Sequence, residues 1–230
     1  MLLVDPVRLA RRQLDIDRER TAHFPHLLQH KIVRMSASPL ALLRGSAPLF
    51  YELVERHGEL GQGPPGEGWL VGDAHIENFG AYRAGKLTVA ETRAERAKEP
   101  VVFDLNDFDD AVVGPWRLDV LRLLTSLVLG GREAGADGAR TLEQCDALLD
   151  AYVALAFLAR RMPPPPHAVA ALIEKVRTRT RKAFLDGRTE VVRGERRFVR
   201  GPRYEPLPRK LRAKAERAFQ KYGRRLPASE

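Results

Sequence analysis

Gly72-Asp73-Ala74-His75-Ile76-Glu77-Asn78-Phe79-Gly80 and Phe103-Asp104-Leu105-Asn106-Asp107-Phe108-Asp109-Asp110 decide how this chain is read. The first stretch follows Trp69-Leu70-Val71, a short apolar run that predicts a strand delivering a polar loop. The second closes another apolar run, Val101-Val102-Phe103, and so places a row of aspartates at a strand end. Residues 117–130 then form a strongly apolar helix (Leu118, Val120, Leu121, Leu123, Leu124, Leu127, Val128), expected to be central to the core. The resulting expectation is an α+β protein, mainly helical, whose short strands and hairpins carry polar loops against one helix.

The loops have the composition of a phosphoryl-transfer site. An aspartate lies five residues before an asparagine, and a further aspartate follows after an apolar strand. A carboxylate can accept the proton of an attacking hydroxyl. Hard oxygen ligands suit Mg²⁺, which is held by one or two carboxylates together with phosphate oxygens.

Composition sets the outer limits. The chain has 230 residues, 44% hydrophobic and 30% charged, which is enough to bury a core and too apolar for disorder. No apolar run approaches the ~20 residues needed to span a bilayer, and the first residues lack a signal-peptide pattern. The single cysteine, Cys145, cannot form an internal disulfide, so a cytoplasmic location is expected, with no membrane partner. Cys145 sits at helical spacing in Leu142–Leu149 and reads as a small core residue rather than a nucleophile.

Charge is uneven along the chain. The formal net charge is +9, but residues 175–225 hold 19 Lys/Arg against 5 Asp/Glu, a local +14. That asymmetry points to a polyanion or a protein partner at the C-terminal region. Two segments follow: a domain over 1–187 that carries the candidate site, and a basic hairpin–helix extension over 188–230. Helices are expected over 6–22, 24–35, 39–57 with an interruption near Gly45 and Pro48, 117–130, 141–161, 167–186 and 206–222. Hairpins are expected at Tyr82–Val89 and Thr189–Val199. Trp69 and Trp116 read as core anchors flanking the two motifs.

These blocks, together with Arg34-Met35-Ser36-Ala37-Ser38-Pro39, Leu43-Arg44-Gly45 and Gly114-Pro115-Trp116 with Asp119 and Arg122-Leu123, resemble one bacterial family, domain of unknown function 2252. The resemblance runs in order over roughly residues 30–220. That family is grouped with kinase-like folds near the aminoglycoside and choline phosphotransferases, so it implies the large, catalytic-loop lobe of such a fold. By this resemblance Asp73 is the catalytic base, with Asn78 and Asp107 as Mg²⁺ ligands; the crowding of like charges around Asp107 separately makes Asp109 a candidate extra ligand or a turn residue. Asp119, twelve residues after Asp107, matches the aspartate that braces the catalytic loop, and Asp104 is a further supporting residue. Arg34, Arg44 and His75 are the candidates for nucleotide contacts, although His75 reads first as a structural donor holding the loop.

The implied function is Mg²⁺-dependent phosphoryl transfer from ATP or another nucleotide to an unknown acceptor. Longer family members continue with a Gly/Ser-containing turn and a strand bearing a Lys–Glu pair, which resembles a nucleotide-gripping small lobe in permuted order. These 230 residues hold no such segment and no Gly-x-Gly-x-x-Gly or Walker-type loop. Two alternatives therefore stand beside the enzyme. One is a non-catalytic kinase-like module completed by a partner. The other is a nucleic-acid or polyanion binder acting through the basic region.

Overall fold

The computed structural model describes residues 5–84, 100–158, 160–161, 163–201 and 207–224. The protein is α+β and mainly helical, and its chain divides into two compact units, Met1–Val176 and Arg177–Glu230.

In the first unit, α1 (Pro6–Arg20) starts where Asp5 accepts the Val7 N–H at 2.9 Å and Pro6 pre-sets the first helical φ. It buries Gln13, Ile16 and Asp17. Lys31, from α2 (His26–Met35), donates to the buried Asp17 carboxylate at 2.5 Å and ties the two helices together. Ser38 caps α3 (Pro39–Gly45) through the Ala41 N–H, again with proline at the first position. The segment expected to be helical over 39–57, interrupted near Gly45 and Pro48, is two helices: α3 ends at Gly45, and after Ser46 the chain restarts as α4 (Ala47–Arg56). Pro48 explains the break, because it cannot donate to a continuous ladder across that point.

Four short strands follow as two antiparallel ribbons. β1 (Glu67–Leu70) pairs with β4 (Val112–Pro115), Trp69 opposite Val113. β2 (Phe79–Arg83) pairs with β3 (Val101–Leu105), Gly80 opposite Asp104. β4 has no counterpart in the sequence reading, since Val112-Val113-Gly114-Pro115 is too short and too close to a helix to stand out. Tyr82 and Arg83 belong to β2, and the rest of the hairpin expected at Tyr82–Val89 lies outside the described residues. Met35, Leu40, Leu43, Leu49, Leu70, Val71 and Ala74 are all buried.

α5 (Arg117–Glu133) packs against α3 and α6 (Gly138–Ala156). Its leucines are only half-buried, and its fully enclosed side chains are Arg122 and Ser126. Trp116 stacks on Tyr152 at 5.6 Å between ring centroids and meets Phe157. Trp69 is a correction: it is 80% exposed, so it does not anchor the core. The period-two alternation of a ribbon explains this, for Leu70, buried at 4% exposure, takes the inward face and Trp69 the outward one. Cys145 is half-buried within α6.

The helix expected over 167–186 is also two, α7 (His167–Thr178) and α8 (Arg181–Asp186), because Thr180 caps a new helix by accepting the Ala183 N–H at 3.1 Å. In the second unit, β5 (Thr189–Val192) and β6 (Glu195–Phe198) form the expected hairpin. Its two-residue turn, Arg193-Gly194, has φ of 54° and 82°, the left-handed pair that a tight hairpin needs. α9 (Arg209–Gly223) ends the described residues of this unit.

Candidate functional site

The loop between β1 and β2 lies along one stripe of α5. Positions 119, 122, 126 and 130 share a helix face, and each receives a successive part of the loop. Asp119 accepts the Val71 N–H at 2.6 Å through Oδ2 and the Gly72 N–H at 3.2 Å through Oδ1. Arg122 donates to Asp73 Oδ1, from Nε at 3.0 Å and also from Nη2. Ser126 Oγ accepts the Ile76 N–H at 3.0 Å and donates to Leu123 O at 2.6 Å. At Gly130 a Cβ would lie 2.4 Å from Ile76 Cδ1, so glycine leaves the room that the Ile76 side chain occupies.

Further tethers come from within the loop and from α4. Tyr51 donates its hydroxyl to Gly72 O at 2.6 Å, and Asn78 donates Nδ2 to Asp73 O at 3.0 Å. The Asn106 N–H reaches Asn78 O at 2.9 Å and joins the two motif loops. Gly72 is required in full: its φ is +85°, and a Cβ there would stand 2.2 Å from Asp110 O.

Electrostatics follow from this burial. Desolvation raises the Asp73 carboxyl above its ordinary value, against the opposing pull of Arg122. Desolvation, aided by Arg44 and Arg122, lowers His75 to about 4, so its imidazole is neutral at pH 7. Nδ1 of His75 accepts the Glu77 N–H at 3.2 Å, which puts the ring proton on Nε2, 3.9 Å from Asp73 Oδ2. Burial raises Asp119 against the two backbone N–H bonds it accepts. Burial and the Asp119 charge push Tyr51 up to about 12, which keeps its hydroxyl a donor.

Asp107 is exposed, and a hydrogen bond with the Asp109 side chain raises its carboxyl above the usual range. The field of Asp73 adds to that rise, and the field of Asp110 acts on Asp73. The two motif loops therefore lie side by side, with aspartates on both. The donors there fit a magnesium ion in kind: two close carboxylates repel unless a cation or a shared proton lies between them, and Asn78, with Nδ2 on Asp73 O, could ligate through Oδ1. Among the described residues no three His, Cys, Asp or Glu side chains converge to hold a metal ion by themselves. A cation here would draw its remaining ligands from water and phosphate, as Mg²⁺ commonly does.

The family model described as "uncharacterized protein conserved in bacteria (DUF2252)" matches residues 23–230. The chain belongs to this family. No curated protein and no solved structure matches it. Both motif loops and the whole of α5 fall inside the family match, whereas α1 precedes it.

The structure brings Asp73, His75, Asn78 and Asp119 into one hydrogen-bonded unit, and the loop that carries Asp107 and Asp109 joins it through the Asn106 N–H on Asn78 O and through Asp110 O beside Gly72. Arg44 also reaches the loop, in an ion pair with Glu77 in which both side chains are nearly half exposed. Asp104 stands apart on β3, exposed, its Oδ1 accepting the Leu105 N–H. Arg34 is exposed in the last turn of α2, and among the described residues no hydrogen bond or ion pair links it to the loop. Sequence reasoning assigned no role to Arg122, Ser126 or Tyr51. The signal available in this DUF2252 protein was an arginine and a serine set four apart among the leucines of α5, on the face that also carries Asp119.

Proposed function

We propose that this protein is a phosphotransferase of kinase-like type, moving a phosphoryl group from a nucleotide such as ATP to a hydroxyl acceptor. One observation carries the reading. A single helix stripe tethers the Asp73–Asn78 loop while a second aspartate loop lies beside it, so a hydroxyl acceptor and a metal–phosphate group would meet between the two. Asp73 Oδ1 is engaged by Arg122, so Oδ2 is the oxygen that would receive the acceptor's hydroxyl hydrogen. The acceptor oxygen would then form its bond to the terminal phosphorus as the bond to the nucleoside diphosphate breaks. Asn78, Asp107 and Asp109 would hold Mg²⁺, whose chemistry is to neutralise charge on the phosphates. Arg44 would exchange Glu77 for a phosphate oxygen, a geometry its guanidinium suits.

The test is thermal unfolding with Mg²⁺ and ATP, with ATP and EDTA, and with Asp107→Ala. At a hundredfold its dissociation constant a ligand adds about 2.7 kcal/mol. That corresponds to a rise of roughly 5–11 °C for a chain of this size. A metal-dependent rise that Asp107→Ala abolishes is the expected outcome. No rise in the wild type would favour a kinase-like binding module completed by a partner.

A second reading rests on the C-terminal charge. On α9, Lys210, Lys214, Arg217 and Lys221 recur at helical spacing along one side and, with Arg224 at the C-cap, make a cationic stripe suited to a polyanion.

A further inference from the structure

Arg122 is the one buried cation of the loop assembly, with no exposed surface at all. Its contacts differ in kind from those of its neighbours. Asp119, Ser126, Tyr51 and Asn78 all grip backbone atoms: Val71 N, Gly72 N, Ile76 N, Gly72 O and Asp73 O. The path of the loop is therefore set without Arg122. What Arg122 holds is the carboxylate itself, with Nε and Nη2 converging on Oδ1.

The same Nη2 donates to Leu43 O at 2.6 Å, and the guanidinium carbon lies 5.0 Å from the centre of the Phe50 ring. The plane of the fork is thus fixed from two further sides, by the end of α3 and by α4. Nη1 is enclosed, with no hydrogen-bond partner among the described residues. Such an arrangement is a costly way to stabilise a fold, because an apolar side chain in a buried ion pair's place commonly does as well or better.

We infer that Arg122 is a positioning residue for Asp73: it pins Oδ1 so that Oδ2 alone, beside His75 Nε2, is presented to the acceptor hydroxyl. The inference rests on the phosphotransferase reading for its consequence, and on the contacts above for its geometry. A lysine in this place is a point donor on a flexible stem and cannot span Oδ1 and Leu43 O with a rigid fork. Arg122→Lys therefore keeps the charge and loses the orientation.

Two measurements test it. The first is the ¹⁵N–¹H resonance of Arg122 Nε in the full chain, assigned by its loss in Arg122→Lys. It should be protected from exchange and shifted downfield, and Asp73→Asn should remove the downfield shift. A resonance unmoved by Asp73→Asn overturns the pairing. The second is phosphoryl transfer from Mg·ATP, to water or to a supplied alcohol. Arg122→Lys should lower kcat by about a hundredfold or more, with KM for Mg·ATP within twofold of the wild type and a native circular dichroism spectrum. Transfer at the wild-type rate in Arg122→Lys overturns the positioning role while leaving the phosphotransferase reading in place. No transfer by the wild type, with the Nε signature intact, overturns that reading and leaves the Arg122–Asp73 geometry standing. If Arg122→Lys does not fold, the neutral pair Arg122→Gln with Asp73→Asn takes its place: restored folding there, against failure of Arg122→Gln alone, supports the pairing, and failure of both overturns it.

Discussion

At the scale of single residues the site is built from polar groups taken out of water, and pH should expose this. His75 is buried, 6% exposed, and held neutral by desolvation and two arginines, with its pKa lowered to about 4 from an ordinary 6.5. Between those values the unfolded chain takes up a proton that the folded chain refuses. Stability from this group is therefore complete above about pH 6.5 and is lost as pH falls towards 4. The loss is at most about 3 kcal/mol. Asp73 and Asp119, raised by burial, act with the opposite sign, because they favour the folded state as they protonate. The informative comparison is therefore chemical denaturation of the wild type and His75→Gln at pH 7.5 and pH 5, with EDTA present. The wild type should lose more stability than the variant between the two pH values, and equal losses would refute the assignment. The sequence motif named His75 but left open whether it touches a ligand or braces the loop. Burial separates these roles, and burial of one residue depends on neighbours distant in the chain.

At the scale of elements, the unit that matters is α5 against the β1–β2 loop. Its apolar pattern was plain from the sequence, and so was the expectation of a helix there. What the pattern hid is that the fully enclosed positions carry Arg122 and Ser126 while the leucines sit half-buried around them. Hydrophobic periodicity finds a helix and its apolar side, but a polar group buried against a specific backbone partner looks like noise in that signal. Removing the tethers gives graded predictions. Asp119→Ala leaves the Val71 and Gly72 N–H groups without acceptors and should cost about 2–4 kcal/mol, and Ser126→Ala, with one donor orphaned, about 1–2 kcal/mol. Urea denaturation of both variants would check the order, and a costlier Ser126→Ala would break it. Gly72→Ala should be the harshest. It adds a left-handed backbone penalty of about 1–2 kcal/mol to an overlap with Asp110 O that no side-chain rotation can relieve. A total near 3 kcal/mol or more follows once overpacking is included. An alanine variant that unfolds at the wild-type urea midpoint would mean the two motif loops are not packed as described.

At the scale of the whole molecule, the chain joins an acidic site to a basic segment. The asymmetry was legible from charge counting alone, because net charge needs no geometry. The compact units divide between residues 176 and 177, within α7, close to residue 175, from which the basic segment was counted, and no glycine or proline marks that point. The basic unit makes its own prediction. If this cationic stripe meets phosphates, five contacts with duplex DNA give a slope of log K against log salt concentration of about −4.5. Fluorescence anisotropy of a mixed-sequence duplex from 50 to 300 mM KCl would measure it. Replacing Lys214 and Arg217 by glutamine should reduce the slope by about 2 and leave Mg·ATP-dependent unfolding unchanged. Binding that ignores salt, or a slope unaffected by the two substitutions, would remove the polyanion reading. A slope that falls as expected while the Asp107→Ala chain binds DNA like the wild type would mean the two units carry separate activities, one for nucleotide phosphates and one for a phosphate backbone.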